Sequence, residues 1–452
     1  MSDLGKSERA TQERVIALFV DGLGYRYLGD WSERNGNSSI EEPILTAWLA
    51  KAGHSPEQIN RAIYLLRADA DHPTRGLYEN NRAVYSLLRY GVPVKIEAGE
   101  VTERVALIDW ERPERNDFAI AEEVTLRGGH ERRPDLVLYV NGIAVAVIEL
   151  KRGSVSVSEG IRQLLSNQQP EFNAGFFATV QIVFAGNDSE GLRYGAIGTE
   201  EKYFLKWKED EADNAGYKLD KYLRKTARKD RLIELMHDFV VFDGGQKKLP
   251  RVHQYFGVKA AQTHVTALKG GIIWHTQGSG QSIVMVLLAK WILENRPRAR
   301  VLVVTDRDEL DKQIERVFNE AGHAIYRTSS GRDLMTQLGT AKPRLLCSLV
   351  HKFGKKDVEN FDAFIEELKS RPSPAVGELF IFVDECHRTQ SGPPGKTAGN
   401  HPPSQWRDDR PEGLRGRHAA PDRHLYRGEG AAAHLAVRRD RPAGVDCEDR
   451  HP

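Results

Sequence analysis

The sequence predicts an α/β protein built as two sheet-containing modules followed by a low-complexity tail, and three observations carry that expectation. The first is an apolar-rich run at 136–148 with Asn141-Gly142 at its centre, preceded by Asp135 and followed by Glu149-Leu150-Lys151. The second is a set of apolar runs at 271–274, 301–304 and 380–383, each followed by a glycine-rich or acidic loop, which is how central strands of a parallel sheet read. The third is a change after Ser391, where Gly, Pro, Arg, Ala, His and Asp dominate and neither Ile nor Phe occurs through Pro452.

Along the chain, a polar leader gives way to mixed helical patterning through about residue 90, and then to a first sheet in which 136–140 and 143–148 are buried strands joined at Asn141-Gly142. The sheet continues through 181–184. A charged stretch at 206–230 reads as a solvated, partly helical connector, and 242–248 as a linker, because glycine and charge replace apolar periodicity there. These boundaries predict domains at 1–240 and 241–391, with a tail at 392–452. The tail's proline pairs, Pro393-Pro394 and Pro402-Pro403, and its low apolar content predict disorder without core strands. Its composition is what a GC-rich gene yields out of frame, so a frameshift product beginning near residue 391 is expected; an arginine-rich disordered tail that binds nucleic acid is the alternative. No internal repeat is found.

Composition narrows the classes. Sixty-five Lys plus Arg against 64 Asp plus Glu leave a net charge of +1, so any nucleic-acid path is local rather than a global basic field. Three cysteines, Cys347, Cys386 and Cys447, have neither metal-type spacing nor a paired framework, which fits a reducing, cytoplasmic compartment. The start lacks an apolar signal core. The run at 283–293 is interrupted by Lys290 and too short to span a bilayer, so no membrane role is expected.

The chemistry-bearing residues fall into two groups. Glu149 and Lys151 lie two apart on one strand and project from one face, and the hairpin returns Asp135 beside them. A strict two-residue turn would pair Asp135 with Ile148 and place the carboxylates on opposite faces, so a shared site demands an odd-length loop or a bulge. Together, Asp135 and Glu149 could bind Mg²⁺ and Lys151 could stabilise a developing oxyanion, the arrangement a metal-dependent nuclease uses. An ordinary buried hairpin ending in surface charges fits the same residues. In the second group, Gly278-Ser279-Gly280-Gln281-Ser282 follows a strand and opens a helix, the layout of a phosphate-binding loop in which Ser282 holds Mg²⁺. Gln281 stands where the phosphate-binding lysine should be. The strand at 380–383 runs into Asp384-Glu385, with Asp384 placed to hold Mg²⁺ and Glu385 to orient or deprotonate the attacking water.

Taken in order, these motifs resemble the restriction (R) subunit of type I restriction endonucleases, which joins a PD-(D/E)xK nuclease to a superfamily 2 helicase-type translocase motor. The resemblance runs from about residue 11 to residue 391 and rests on Leu23-Gly24-Tyr25, Arg133-Pro134-Asp135, Ile148-Glu149-Leu150-Lys151, Val252-His253-Gln254-Tyr255-Phe256 and Trp274-His275-Thr276-Gln277-Gly278-Ser279-Gly280. Thr305-Asp306-Arg307, His351-Lys352-Phe353 and the stretch from Asp384-Glu385-Cys386-His387 to Gln390 complete it. The resemblance implies Mg²⁺-dependent cleavage of foreign double-stranded DNA coupled to ATP-driven translocation, in a complex with methylation and specificity subunits. It implies nuclease roles for Asp135, Glu149 and Lys151, and makes Gln163 the glutamine of an accessory Gln-x-x-x-Tyr element in which Asn167 occupies the tyrosine position. It places Gln254 at adenine, with a surface glutamine as the alternative, and makes Mg²⁺ and ATP the cofactors. A complete R subunit continues with a second motor lobe. With Gln281 and without that lobe, the expectation is a chain defective in ATP hydrolysis, even as a Gln281→Lys variant. The alternative is a non-catalytic remnant with residual DNA or nucleotide binding.

Overall fold

The fold is that of a computed structural model, which describes residues 8–96, 101–127, 130–210, 212, 216–276, 279–305, 314–315, 318–319, 324–349, 376–383 and 432–439. It divides into two units, residues 1–260 with 316–323, and residues 261–315 with 324–452.

In the first unit the chain opens with helix α1 (Glu8–Ala17) and strand β1 (Arg26–Asp30), followed by α2 (Glu42–Lys51), α3 (Pro56–Ala70) and α4 (Leu77–Tyr90). Two short strands, β2 (Val92–Val94) and β3 (Glu103–Val105), pair antiparallel. Then come β4 (Phe118–Glu122), the small hairpin β5 (Leu126–Arg127) and β6 (Glu131–Arg132), β7 (Leu136–Val140), β8 (Ile143–Leu150) and α5 (Val157–Asn167). Strands β9 (Ile182–Asn187), β10 (Gly191–Gly195) and β11 (Leu205–Lys206) precede α6 (Lys218–Thr226) and α7 (Lys229–Asp238). Hairpin β12 (Val241–Asp243) and β13 (Gln246–Lys248) leads to α8 (Val252–Thr266).

A seven-stranded mixed sheet in the order β1-β4-β7-β8-β9-β10-β11 forms the first unit's core. Every residue of β7 and β8 is buried, which explains why both read as continuous apolar runs rather than alternating ones. Because β8 and β9 are parallel, the chain must cross over between them, and α5 is that crossover. Its apolar stripe of Val157, Ile161 and Leu164 packs with Val147, Val183 and Ala185 of the sheet.

The β7–β8 turn is the expected two-residue one, with Val140 paired to Ile143 and positive φ at Asn141 (54°) and Gly142 (83°). What corrects the register is a bulge. Tyr139 pairs with Ala144 but Leu138 with Ala146, so Val145 is an extra residue on β8. Its carbonyl accepts a bond from Gln181 N at 2.8 Å instead. Carrying that register one step past the Leu136–Ile148 pair sets Asp135 opposite Glu149. The requirement for an odd-length loop or a bulge is thus met by the bulge, with a simple turn retained.

The charged stretch at 206–230 is more than a connector. Trp207, Leu219 and Leu223 are fully buried and α6 packs on β10. The glycine-rich stretch at 242–248 is the β12–β13 hairpin, held within the first unit by Lys247. That side chain is buried and donates to Asn81 Oδ1 at 2.8 Å, Gln181 Oε1 at 2.5 Å and Val180 O at 3.5 Å.

The second unit holds β14 (Gly271–Thr276), α9 (Gln281–Asn295), β15 (Ala299–Thr305), β16 (Tyr326–Arg327), α10 (Gly331–Leu338), β17 (Leu345–Leu349), β18 (Glu378–Val383) and β19 (Ala432–Arg439). The sheet order is β14-β19-β18-β15-β17-β16, and β18, β15, β17 and β16 are mutually parallel; of the three runs expected in a parallel sheet, those at 301–304 and 380–383 pair directly, while β14 is parted from them by β19. Helix α9 is apolar almost all round and largely buried, and no helix among the described residues is long and apolar enough to cross a membrane. Arg300 of β15 turns inward and donates to the carbonyls of Gln337 and Leu338 (both 2.8 Å), which caps the C-terminus of α10. One expectation is corrected. Residues 432–439 of the tail form a strand, antiparallel to both β14 and β18, whose backbone pairs with each of them. The two antiparallel steps leave β14 and β18 pointing the same way. The rest of 392–452 lies outside the described residues.

Candidate active site

At the open end of the β7–β8 hairpin the two carboxylates meet. Asp135 Oδ2 accepts a bond from Leu150 N at 2.6 Å, which ties the end of β7 to the end of β8. Glu149 is fully buried, its Oε1 accepting from Asn167 Nδ2 at 3.4 Å, while Oε2 has no hydrogen-bond partner among the described residues. Lys151 Nζ lies 4.0 Å from Glu149 Oε2, and is otherwise held by Leu150 O at 2.9 Å and Glu8 Oε1 of α1 at 3.4 Å. Three groups named from sequence therefore converge on one point.

Burial governs their electrostatics. Desolvation pushes the Asp135 carboxyl up to about 6, against the lowering effects of Lys151 and the Leu150 N–H. Glu149 is raised well above the carboxylate range, first by desolvation and then by repulsion from Asp135. Two adjacent carboxylates that resist ionising, one with an orphaned oxygen, are a donor set that a hard cation completes. Among the described residues no cluster of three or more His, Cys, Asp or Glu side chains suits a metal ion, so the pair stands as two ligands.

Helix α5 roofs the site closely. A methyl group at Gly160 would stand 3.5 Å from Lys151 Cγ and 3.6 Å from Glu149 Cβ. Asn167, set at the position of the expected tyrosine, is fully buried and reaches Glu149 directly; its spacing from Gln163 was legible, but its contact with the carboxylate was not. Gln163 lines a cavity of about 480 Å³ together with Asp135, Arg9, Arg132 and Arg133. Helix α1, whose polar sequence gave no hint of a role, contributes to that wall. It is fastened by Arg14 to Asp188 and Asp220, and by Gln12 to Glu122 and Glu123.

In the second unit, Gly280 adopts a left-handed conformation (φ 85°) as the N-cap of α9, and Gln281 and Ser282 begin the helix. The free N–H groups and partial positive charge of such a terminus suit phosphate. Gln281 Nε2 is buried with no hydrogen-bond partner among the described residues, and Ser279 is buried beside it. Gly278, Asp306, Asp384 and Glu385, with the segment at 351–353, lie outside the described residues; β18 ends at Val383. Gln254 is no surface glutamine. It is buried in the first turn of α8, where its Oε1 accepts a bond from Arg251 N at 2.8 Å.

The chain thus places a mixed sheet with a buried carboxylate pair and a lysine before a second, mostly parallel sheet with a glycine at the N-terminus of a helix. Residues 5–202 match the family described as type I restriction enzyme R protein N terminus, and residues 253–403 match the SWI2/SNF2 ATPase family. The chain is 26% identical over 431 residues to the putative type I restriction enzyme MjaIXP endonuclease subunit of Methanocaldococcus jannaschii, covering 85% of this chain and 40% of that protein. It is 28% identical over 424 residues to the HindI endonuclease subunit of Haemophilus influenzae, covering 85% and 39%. It is 23% identical over 284 residues to the SauCOLORF180P endonuclease subunit of Staphylococcus aureus, covering 62% and 30%. The N-terminal part of the chain is thus similar to type I restriction R proteins, and the chain spans about two fifths of the length of the first two relatives.

Proposed function

We propose that the first unit is a Mg²⁺-dependent nuclease of the PD-(D/E)xK kind acting on double-stranded DNA, in a restriction system whose methylation and specificity subunits are its partners. The observation that carries this reading is the bulge-set apposition of Asp135 and Glu149 around an orphaned, buried Glu149 oxygen, with Lys151 alongside. Asp135 and Glu149 would hold the ion, which supplies Lewis-acid stabilisation of phosphate charge and an activated water when bound. The chain's own groups do the rest. The Leu150 N–H aims Asp135, Asn167 aims Glu149, and the Lys151 ammonium stands where negative charge develops on the phosphate. Gln163 faces the cavity that would receive the strand.

The second unit is proposed to bind ATP with Mg²⁺ at Gly278 to Ser282, with Ser282 and Asp384 as cation ligands, Glu385 orienting the water and Gln254 at the adenine. Gln281 offers the β and γ phosphates a neutral donor in place of a point charge, so hydrolysis is proposed to be slow and ATP-driven translocation absent from this chain. That residue favours a second reading, a remnant that binds DNA or nucleotide without turnover. Incubating the chain with duplex DNA and Mg²⁺ separates the two. Nicking that disappears in Glu149→Ala supports the nuclease; cutting that persists unchanged in Glu149→Ala rules out the assigned site.

A further inference from the structure

Charge pairing within the nuclease cavity leaves one cation over. Arg9 bonds Glu122 and Glu13, Arg133 stands 3.2 Å from Glu123, and Glu131 faces Arg127 at 3.8 Å. Arg132 lines the same cavity and has no acidic partner among the described residues. Its guanidinium carbon lies over the Phe172 ring, 4.0 Å from the centroid, and His130 braces that ring from 5.6 Å at 51°. An arginine held this way gives up little conformational freedom on binding, and keeps its fork of N–H donors for a planar or tetrahedral anion.

We propose that Arg132, supported by Phe172, is a substrate-binding clamp that takes a backbone phosphate of the DNA strand entering the cavity. The inference rests on the nuclease reading and deepens it. Strand β6 carries Arg132 three residues before Asp135, and both line the same cavity. Phe172 meets Arg132 from the segment following α5, so the clamp joins the chain segment before Asp135 to the one after Gln163. Phosphate contacts of this kind set the register of the duplex without reading its sequence.

The test is duplex binding by the full chain in EDTA, read by fluorescence anisotropy across a salt series. Arg132→Gln is expected to weaken binding about tenfold. It should also reduce the slope of log affinity against log salt by about 0.9, the signature of one lost phosphate contact. Arg132→Lys should keep the slope while binding less tightly, and Phe172→Ala should weaken binding through the loss of the platform. Arg75→Ala, on a surface pair with Asp69, serves as the control. An Arg132→Gln slope equal to wild type, in a protein that binds duplex and loses Mg²⁺-dependent cutting in Glu149→Ala, overturns the clamp alone. A wild-type chain with no salt-dependent duplex binding overturns the clamp together with the DNA reading beneath it.

Discussion

At the residue scale, the site's second layer is as specific as its first. Asn167 offers the fully buried Glu149 a single donor, and partners of that kind orient carboxylates for a cation. Asn167→Ala is expected to lower Mn²⁺ affinity about tenfold to hundredfold, as measured by calorimetric titration, with a smaller effect on the metal-free melting temperature. Unchanged affinity would show the amide to be packing only. The raised Asp135 carboxyl makes a second prediction. Below the unfolded-state pKa the proton is bound in both states and costs nothing; as pH rises toward about 6, the unfolded chain ionises first and metal-free stability falls. Asp135→Asn should flatten that decline in thermal melts recorded in EDTA from acid to neutral pH. A decline equally steep in the variant would refute the assignment. The identities of Asp135, Glu149 and Lys151 were legible from spacing and polarity alone. Asn167 as their support was not, because a helix placed over a strand by a crossover leaves no local signature of what it touches.

At the element scale, the β7–β8 hairpin divides its work between its two ends. The closed end is wedged into the fold. Asn141 is buried and bonds Leu107 O, Asn116 Oδ1 and Asp117 N, while a Cβ at Gly142 would lie 2.8 Å from Glu41 O and 2.9 Å from Leu45 N. Since φ there is also positive, Gly142→Ala should cost about 1–3 kcal/mol in urea unfolding. A loss below that range would show that α2 yields easily. The turn residues announced this hairpin in the sequence. Val145 did not announce the bulge, because an extra residue inside a uniformly apolar run breaks no visible period. Strands β15 and β18 of the second unit were legible for the converse reason, as short apolar runs bounded by polar residues, whereas β16 and β17 were not read from the sequence. Strand β19 was hidden by its surroundings, eight serviceable residues in a segment whose overall composition favours no structure.

At the scale of the whole molecule, the proposed metal site lies in one unit and the proposed nucleotide site in the other, and ligands stabilise only the state that binds them. Divalent cation should raise a melting transition that Glu149→Ala no longer shifts, and ATP should act on a transition insensitive to that substitution. Gln281→Lys should strengthen the ATP effect by restoring a point charge to the loop. Calorimetry of the full chain in which either ligand moves every transition equally, in wild type and variants alike, would contradict the separation. The likeness to type I restriction R proteins was legible because the motifs of both units occur in order over most of the chain. The division near residue 260 was less so, since the glycine-rich stretch at 242–248 has the composition of a linker and the structure of a hairpin.

That hairpin carries a built-in reporter. The Lys247 amine is buried among neutral oxygens, and burial pushes it well below the usual lysine range. Amine-modifying reagents should pass it by while the hairpin stays docked and label it once the hairpin lifts. Mass-spectrometric footprinting of this one side chain would then time a local opening at the end of the nuclease unit, separately from global unfolding.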